Sequence, residues 1–177
     1  MTDSLALDVD RIRKEALRTM AAGPATSPYG LDTERVVSVL NDVVATEVVG
    51  WLRYTRHAIT ARGTDRSQVS TLFSAHADHE MQHAVRVAER IAELGGQPNF
   101  DPATLAQRAH TDYSVPDDAA LKAMLEQNLL AARIVISAYQ EIARWLGDRD
   151  PTTRRLIESV LAEEEENADA LATLLAA

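Results

Sequence analysis

The run His76-Ala77-Asp78-His79-Glu80-Met81-Gln82-His83 decides how this chain is read. It holds Glu80 and His83 at i, i+3, a spacing that places both side chains on one face of a helix. Leu72, Val87 and Ile91 continue the same face as an apolar stripe, so the carboxylate and the imidazole point where a core should be. Ionisable groups in such a position are costly unless paired or holding a metal. Glu47 is a second sign of the same kind, set between Val44 and Val48 in an otherwise apolar helical face.

Outward from that run, Gly and Pro divide the chain. The helix that carries it starts near Asp65 and stops at Leu94, before Gly95-Gly96. A preceding helix spans about Asp32 to Arg62, ended by Gly63, with Val36, Val37, Leu40, Val43, Val44, Val48 and Trp51 at helical spacing. A third runs from about Asp117 to Leu146 and ends at Gly147, and a fourth opens with Asp150 as N-cap and Pro151 in its first turn. A short leading helix, about Ser4 to Met20, precedes the breaker Gly23-Pro24-Ala25-Thr26-Ser27-Pro28-Tyr29-Gly30. The expected division is therefore 1–30 for the leading helix and loop and 31–177 for a four-helix bundle. Two of the links between long helices are short, which makes antiparallel neighbours. The middle one, Gln97 to Pro116, is long enough to cross the bundle. Two hairpins joined by one long crossover is the topology of ferritin-like bundles, whose cores carry metal on one Glu from each of two helices and a Glu-x-x-His pair from each of the others.

Composition narrows the function classes. The 177 residues are 46% apolar and 25% charged, rich in helix formers and poor in aromatics, with no cysteine. Thiolate metal sites, disulfides and cysteine nucleophiles are excluded. A net charge of −9 argues against a basic nucleic-acid surface. Neither a secretory signal nor an apolar run of the roughly 18 residues needed for a membrane span is expected, which suits a cytoplasmic protein.

Three stretches carry a specific resemblance. Leu40-Asn41 through Glu47, then Tyr54 and His57, resembles the first bundle helix of bacterioferritins and their Dps-like relatives. Glu80-Met81-Gln82-His83-Ala84, then Glu89-Arg90-Ile91 and Leu94-Gly95-Gly96-Gln97-Pro98-Asn99, resembles the second helix and its exit. Asp150-Pro151-Thr152-Thr153-Arg154-Arg155 through Glu163-Glu164-Glu165-Glu166 resembles the fourth. The resemblance covers Asp32 to Leu174. It implies an all-α bundle, iron handling, assembly into a hollow shell of 12 or 24 subunits, and Fe(II) oxidation at a di-iron site within each subunit.

The sequence departs from that pattern at two ligand positions. The third-helix Glu of the family falls at Ala132, in Leu129-Leu130-Ala131-Ala132-Arg133-Ile134. The last His falls at Asn167. Glu126, six residues earlier, faces another side of the helix and lies roughly 9 Å away along the axis, and Glu141 is also too distant. Neither replaces the missing carboxylate. The resemblance then leaves one half of the centre, Glu47, Glu80, His83 and Glu164, a donor set suited to Fe(II), Mn(II) or Zn(II), with ferroxidase activity weak or absent.

Alternatives stand beside this reading. The same four residues could persist as a metal-free hydrogen-bonded cluster, in which at least one carboxyl stays protonated. The chain would then be a structural or partner subunit, whereas the iron-binding reading allows co-assembly with an active paralogue that supplies oxidation. Met81 sits where bacterioferritins can place a haem ligand between two subunits, although Met also fills helix interfaces. Tyr54, His57 and His76 are expected beside the site, with a Tyr54–His57 hydrogen bond as one reading. His79 and His110 read as surface or loop residues, and the quartet Glu163 to Glu166 as a solvated face with one member turned inward.

Overall fold

The computed structural model describes residues 5–21, 29–114, 116 and 120–176. The breaker at 23–28 and the expected starts at Ser4 and Asp117 lie outside them. Six helices follow in order: α1 (Val9–Arg18), α2 (Thr33–Thr60), α3 (Arg66–Glu93), α4 (Leu105–Arg108), α5 (Leu121–Leu146) and α6 (Pro151–Ala176). The four long ones have 28, 28, 26 and 26 residues, which at 1.5 Å per residue is about 40 Å each. The architecture is the expected all-α bundle. α2 packs along α3 and α5 along α6, and the two hairpins meet through α3 with α6 and α2 with α5.

Local chemistry explains the boundaries. Asp32 caps α2 by accepting the Glu34 N–H at 3.1 Å. α2 ends at Thr60, two residues before the expected Arg62, because Ala61 turns extended and tucks into the core at 5% exposure. Gly147 closes α5 with φ +52°, a backbone region that favours glycine. Asp150 then caps α6, accepting the Thr153 N–H at 2.9 Å and the Tyr29 hydroxyl while facing Arg90 at 3.4 Å. α1 is shorter than expected and buries none of its residues.

The crossover runs against α2, where α4 is a single turn. Polar ties hold it there. Arg108 donates to the carbonyls of Asn41 and Asn99 at 2.6 and 2.9 Å, and the Asn41 side chain bonds Gln97 and Asn99. The apolar interior falls into two clusters. One is built on Val36, Leu40, Val44, Val87, Ile91, Leu146, Ile157 and Val160, the other on Tyr54, Val69, Phe73, Met124, Leu125 and Leu171. A belt of buried polar groups from α2, α3, α5 and α6 sits among them: Glu47, Arg53, His57, His76, Glu80, His83, Asn128, Glu164 and Asn167. Among the described residues no helix is long and apolar enough to cross a membrane.

Candidate metal centre

Glu47 of α2, His83 of α3 and Glu164 of α6 converge in this belt. One ligand atom from each lies within 4.8 Å of the others, and all three residues are buried. His83 is the hinge of the group. Its Nδ1 is 3.1 Å from Glu47 Oε2 and 3.2 Å from Glu164 Oε1. Only the Glu47 contact is aligned as a hydrogen bond, so Glu164 Oε1 is buried with no hydrogen-bond partner. On the other side of the ring, Nε2 is 3.0 Å from Glu163 Oε2.

Glu80 stands beside this trio, with its carboxylate against the backbone of Gly50 in α2. A β-carbon at Gly50 would lie 2.8 Å from Glu80 Cδ. A mid-helix glycine costs about 1 kcal/mol relative to alanine, and here its lack of a side chain is what lets the carboxyl reach α2. Glu47 is held from α5 as well, where the Tyr139 hydroxyl donates to Oε1.

Burial of so many acids is reflected in their protonation. Desolvation, followed by the charges of Glu164 and Glu47, pushes Glu80 well above the ordinary carboxylate range. Desolvation also raises Glu164, against the opposing hydrogen-bonding influence of His83. Burial alone would lower His83, but its carboxylate neighbours Glu164, Glu47 and Glu163 reverse that and raise it to about 10. Without a cation, the imidazolium is the positive charge at the centre of the cluster.

The remaining sequence candidates are placed as follows. Tyr54 and His57 are buried nearby, but no Tyr54–His57 hydrogen bond forms. His57 Nδ1 is 2.8 Å from the Asn128 amide and its Nε2 has no partner. Asn128 Oδ1 also receives Arg53 at 3.0 Å, so α5 already supplies the polar partner that His57 needs. Burial lowers His57 and His76 to about 4 each, which keeps both rings neutral near pH 7. His76 packs edge-on to Tyr54 with ring centroids 5.2 Å apart. His79 is exposed, as expected, with Nδ1 3.4 Å from Asn167. Met81 is half-buried on α3.

Three further groups complete the site's surroundings. His110 lies in the crossover loop, as expected, with Nδ1 3.1 Å from Thr46 Oγ1 and its ring against Tyr139. Of the acidic quartet Glu164 alone is buried, as expected of a solvated face, and the half-exposed Glu163 reaches His83 from the rim. Glu80 lies beside the closest trio, with its carboxylate against Gly50 of α2. Ala132 and Asn167 are both buried, so the two altered positions do face the core, and Glu126 is exposed and paired with Lys122 at 3.7 Å.

Sequence reasoning missed Tyr139, Arg53, Asn128 and Gly50. Tyr139 had a usable signal, since it lies seven residues, or two turns, beyond Ala132 and therefore on the same face of α5.

A four-helix bundle with a long crossover and a carboxylate–imidazole cluster at mid-height is the architecture of ferritin-like proteins. Residues 37–177 match the family of ferritin-like domains, and the chain belongs to that family. It is 30% identical over 149 residues to the nutrient stress-induced DNA-binding protein of a Synechococcus species, covering 81% of this chain and 82% of that one. It is 26% identical to the bacterioferritin of Desulfovibrio desulfuricans, over 74% of this chain and 69% of that protein. Among solved structures it resembles the dodecameric thioferritin of Bacteroides fragilis, a bacterioferritin-related protein, with a TM-score of 0.80 and 31% identity over 92% of this chain and 93% of that chain.

Proposed function

We propose that this protein binds iron in a closed homo-oligomeric shell and holds one divalent cation per chain at Glu47, His83 and Glu164, with Glu80 as the nearby fourth donor. The observation that carries this reading is the convergence of Glu47, His83 and Glu164, three buried residues each offering one ligand atom within 4.8 Å of the others. Without a cation the carboxylates have only the His83 ring between them, and a cation there would bind all three donors. The donors fit the ion: carboxylate oxygen and imidazole nitrogen suit Fe(II), Mn(II) or Zn(II).

Bound Fe(II) supplies a reducing electron and is at the same time the cargo. A paired two-electron transfer to O2 needs a second cation, and the family's ligands for it are replaced by Ala132 and Asn167. Storage and sequestration are therefore favoured over fast oxidation. The remaining groups shape the site: Tyr139 orients Glu47, Gly50 admits Glu80, and the apolar clusters limit water. The shell assignment draws on the likeness to the dodecameric thioferritin, and we assign twelve chains.

Anaerobic Fe(II) loading followed by metal analysis tests the site. One tightly held ion per chain is expected; two, or none, overturns the reading. Light scattering tests the shell, with an assembly of about twelve times the 19.4 kDa chain mass expected.

A further inference from the structure

Arg53 is a cation buried without a counter-charge in contact. It sits on α2 at 3% exposure, with its guanidinium 5.7 Å from the centre of the Tyr54 ring. Burying a charge is costly unless it is paired. Three of its five N–H groups go to neutral acceptors. Nε donates to Asn128 Oδ1 at 3.0 Å, and Nη1 donates to Thr111 Oγ1 at 3.4 Å and to the Asp112 carbonyl at 3.3 Å. Among the described residues none accepts from Nη2 and none forms an ion pair with the group. Glu80 and Glu164 feel its charge only through space.

A cavity of about 80 Å³ lies beside it, lined by Arg53, Thr111, Asp112, Ser114 and Gln127 together with an apolar flank of α5. That is room for several waters or for one tetrahedral oxyanion. Gln127 supplies a second sign. Its Nε2 donates to Ser114 Oγ while its Oε1 is buried with no partner, and buried polar atoms are ordinarily satisfied. A carboxamide turned over exchanges its two ends. Oε1 then accepts the Ser114 hydroxyl, and an N–H stands where the acceptor was stranded. Only an acceptor within the cavity makes use of that arrangement.

We propose that this cavity is an anion site that takes inorganic hydrogen phosphate, held by Arg53 Nη2 and the Gln127 amide with the Thr111 and Ser114 hydroxyls as further donors. The guanidinium fork matches a tetrahedral oxyanion through paired N–H groups. The volume admits the phosphate group alone, so the free ion is assigned rather than an ester. Asp112 is the one acid on the lining, and it selects among anions. Hydrogen phosphate can donate its own proton to a carboxylate, whereas sulfate and chloride are only repelled by it. The bound anion joins α2, α5 and the crossover at one point. The site is separate from Glu47, His83 and Glu164 and does not depend on the cation reading.

Calorimetric titration of the full-length protein with inorganic phosphate, at constant ionic strength, tests the site, with metal removed so that phosphate has no cation to bind. Saturable binding of one ion per chain is expected, and the thermal midpoint should rise with the logarithm of phosphate concentration. Sulfate, a kosmotrope like phosphate, should give no saturable binding. Gln127→Ala should weaken phosphate several-fold and Arg53→Gln about tenfold or more, the usual effect of losing a hydrogen bond to a charged group. No binding by folded wild type, equal binding of sulfate, or phosphate binding unchanged in both variants overturns the proposal. Should Arg53→Gln not fold, the double variant Ser114→Ala with Gln127→Ala decides: binding weakened about tenfold supports the site, and unchanged binding refutes it. Metal analysis of the same wild-type protein reads the cation centre independently, so either assignment can fail alone.

Discussion

Cation binding and proton release should be tied together at His83. In the metal-free protein its pKa is raised to about 10 by the surrounding carboxylates despite burial. A cation needs the neutral ring, so binding must expel the proton. At pH 7 the group lies about three pH units below its pKa, and at about 1.36 kcal/mol per unit the displacement costs about 4 kcal/mol. The apparent affinity for Mn(II) should therefore tighten about tenfold for each unit of pH between 6.5 and 8.5, with about one proton released per ion. Glu80 is pushed well upward by burial and by Glu164 and Glu47, so an ion that recruits it should move the slope from one toward two. Titration calorimetry in buffers of different ionisation enthalpy measures both quantities, and the His83→Gln variant should bind far more weakly. The sign for stability runs the other way. A histidine pKa raised on folding stabilises the metal-free fold below about 6.5, and that contribution is lost as pH climbs through about 10. A Mn(II) affinity that does not change with pH, or binding without proton release, would refute the reasoning.

Two further outcomes follow from named contacts. Gly50→Ala places a β-carbon 2.8 Å from Glu80 Cδ; the buried carboxyl must move even in the metal-free protein, so the clash should outweigh the gain of up to about 1 kcal/mol in helix propensity, lowering the urea midpoint while Mn(II) binding weakens about tenfold. Asp150→Ala removes the α6 cap and the partner of Arg90, and should cost about 2–3 kcal/mol in urea unfolding at pH 7. Burial raises the Asp150 pKa, but hydrogen bonds from Thr153 and Tyr29 and the charge of Arg90 outweigh it and leave it lowered. That stabilisation is present above the ordinary aspartate range and disappears as pH falls through the lowered value, so wild type and variant should converge in acid. A penalty that persists there would sink the assignment.

The architecture could be read from the sequence because its determinants are local. Gly63, Gly95 and Gly147 all adopt positive φ at helix ends, and Asp32 and Asp150 both cap the helices expected of them. Glu47, His83 and Glu164 were accessible for a related reason: a charge on an apolar stripe, or in a family motif, announces itself in one helix. What stayed hidden depends on register between helices. Nothing in α6 alone tells which of four successive glutamates crosses to an imidazole on α3. The depth of Gly50 is meaningful only once Glu80 is seen against it, and Arg53, an unusual buried cation, is tolerated because Asn128 on α5 and the crossover at Thr111 and Asp112 supply its acceptors. His110 could be read as a loop residue, but its contacts with Thr46 and Tyr139 could not, because the loop has no period to read.

The polar belt between the two apolar clusters has a mechanical consequence. Cooperativity along a helical bundle is carried by contiguous apolar packing, and here that packing is interrupted at mid-height by acids, histidines, an arginine and two asparagines. The metal-free bundle should therefore behave as two stiff ends joined by a compliant waist, with its amides at Glu47, Glu80 and Glu164 exchanging sooner than those at Leu40 or Leu171. An ion at the waist ties α2, α3 and α6 together. Cargo and fold would then share one fastening, and an assembled shell would stiffen, subunit by subunit, as it fills.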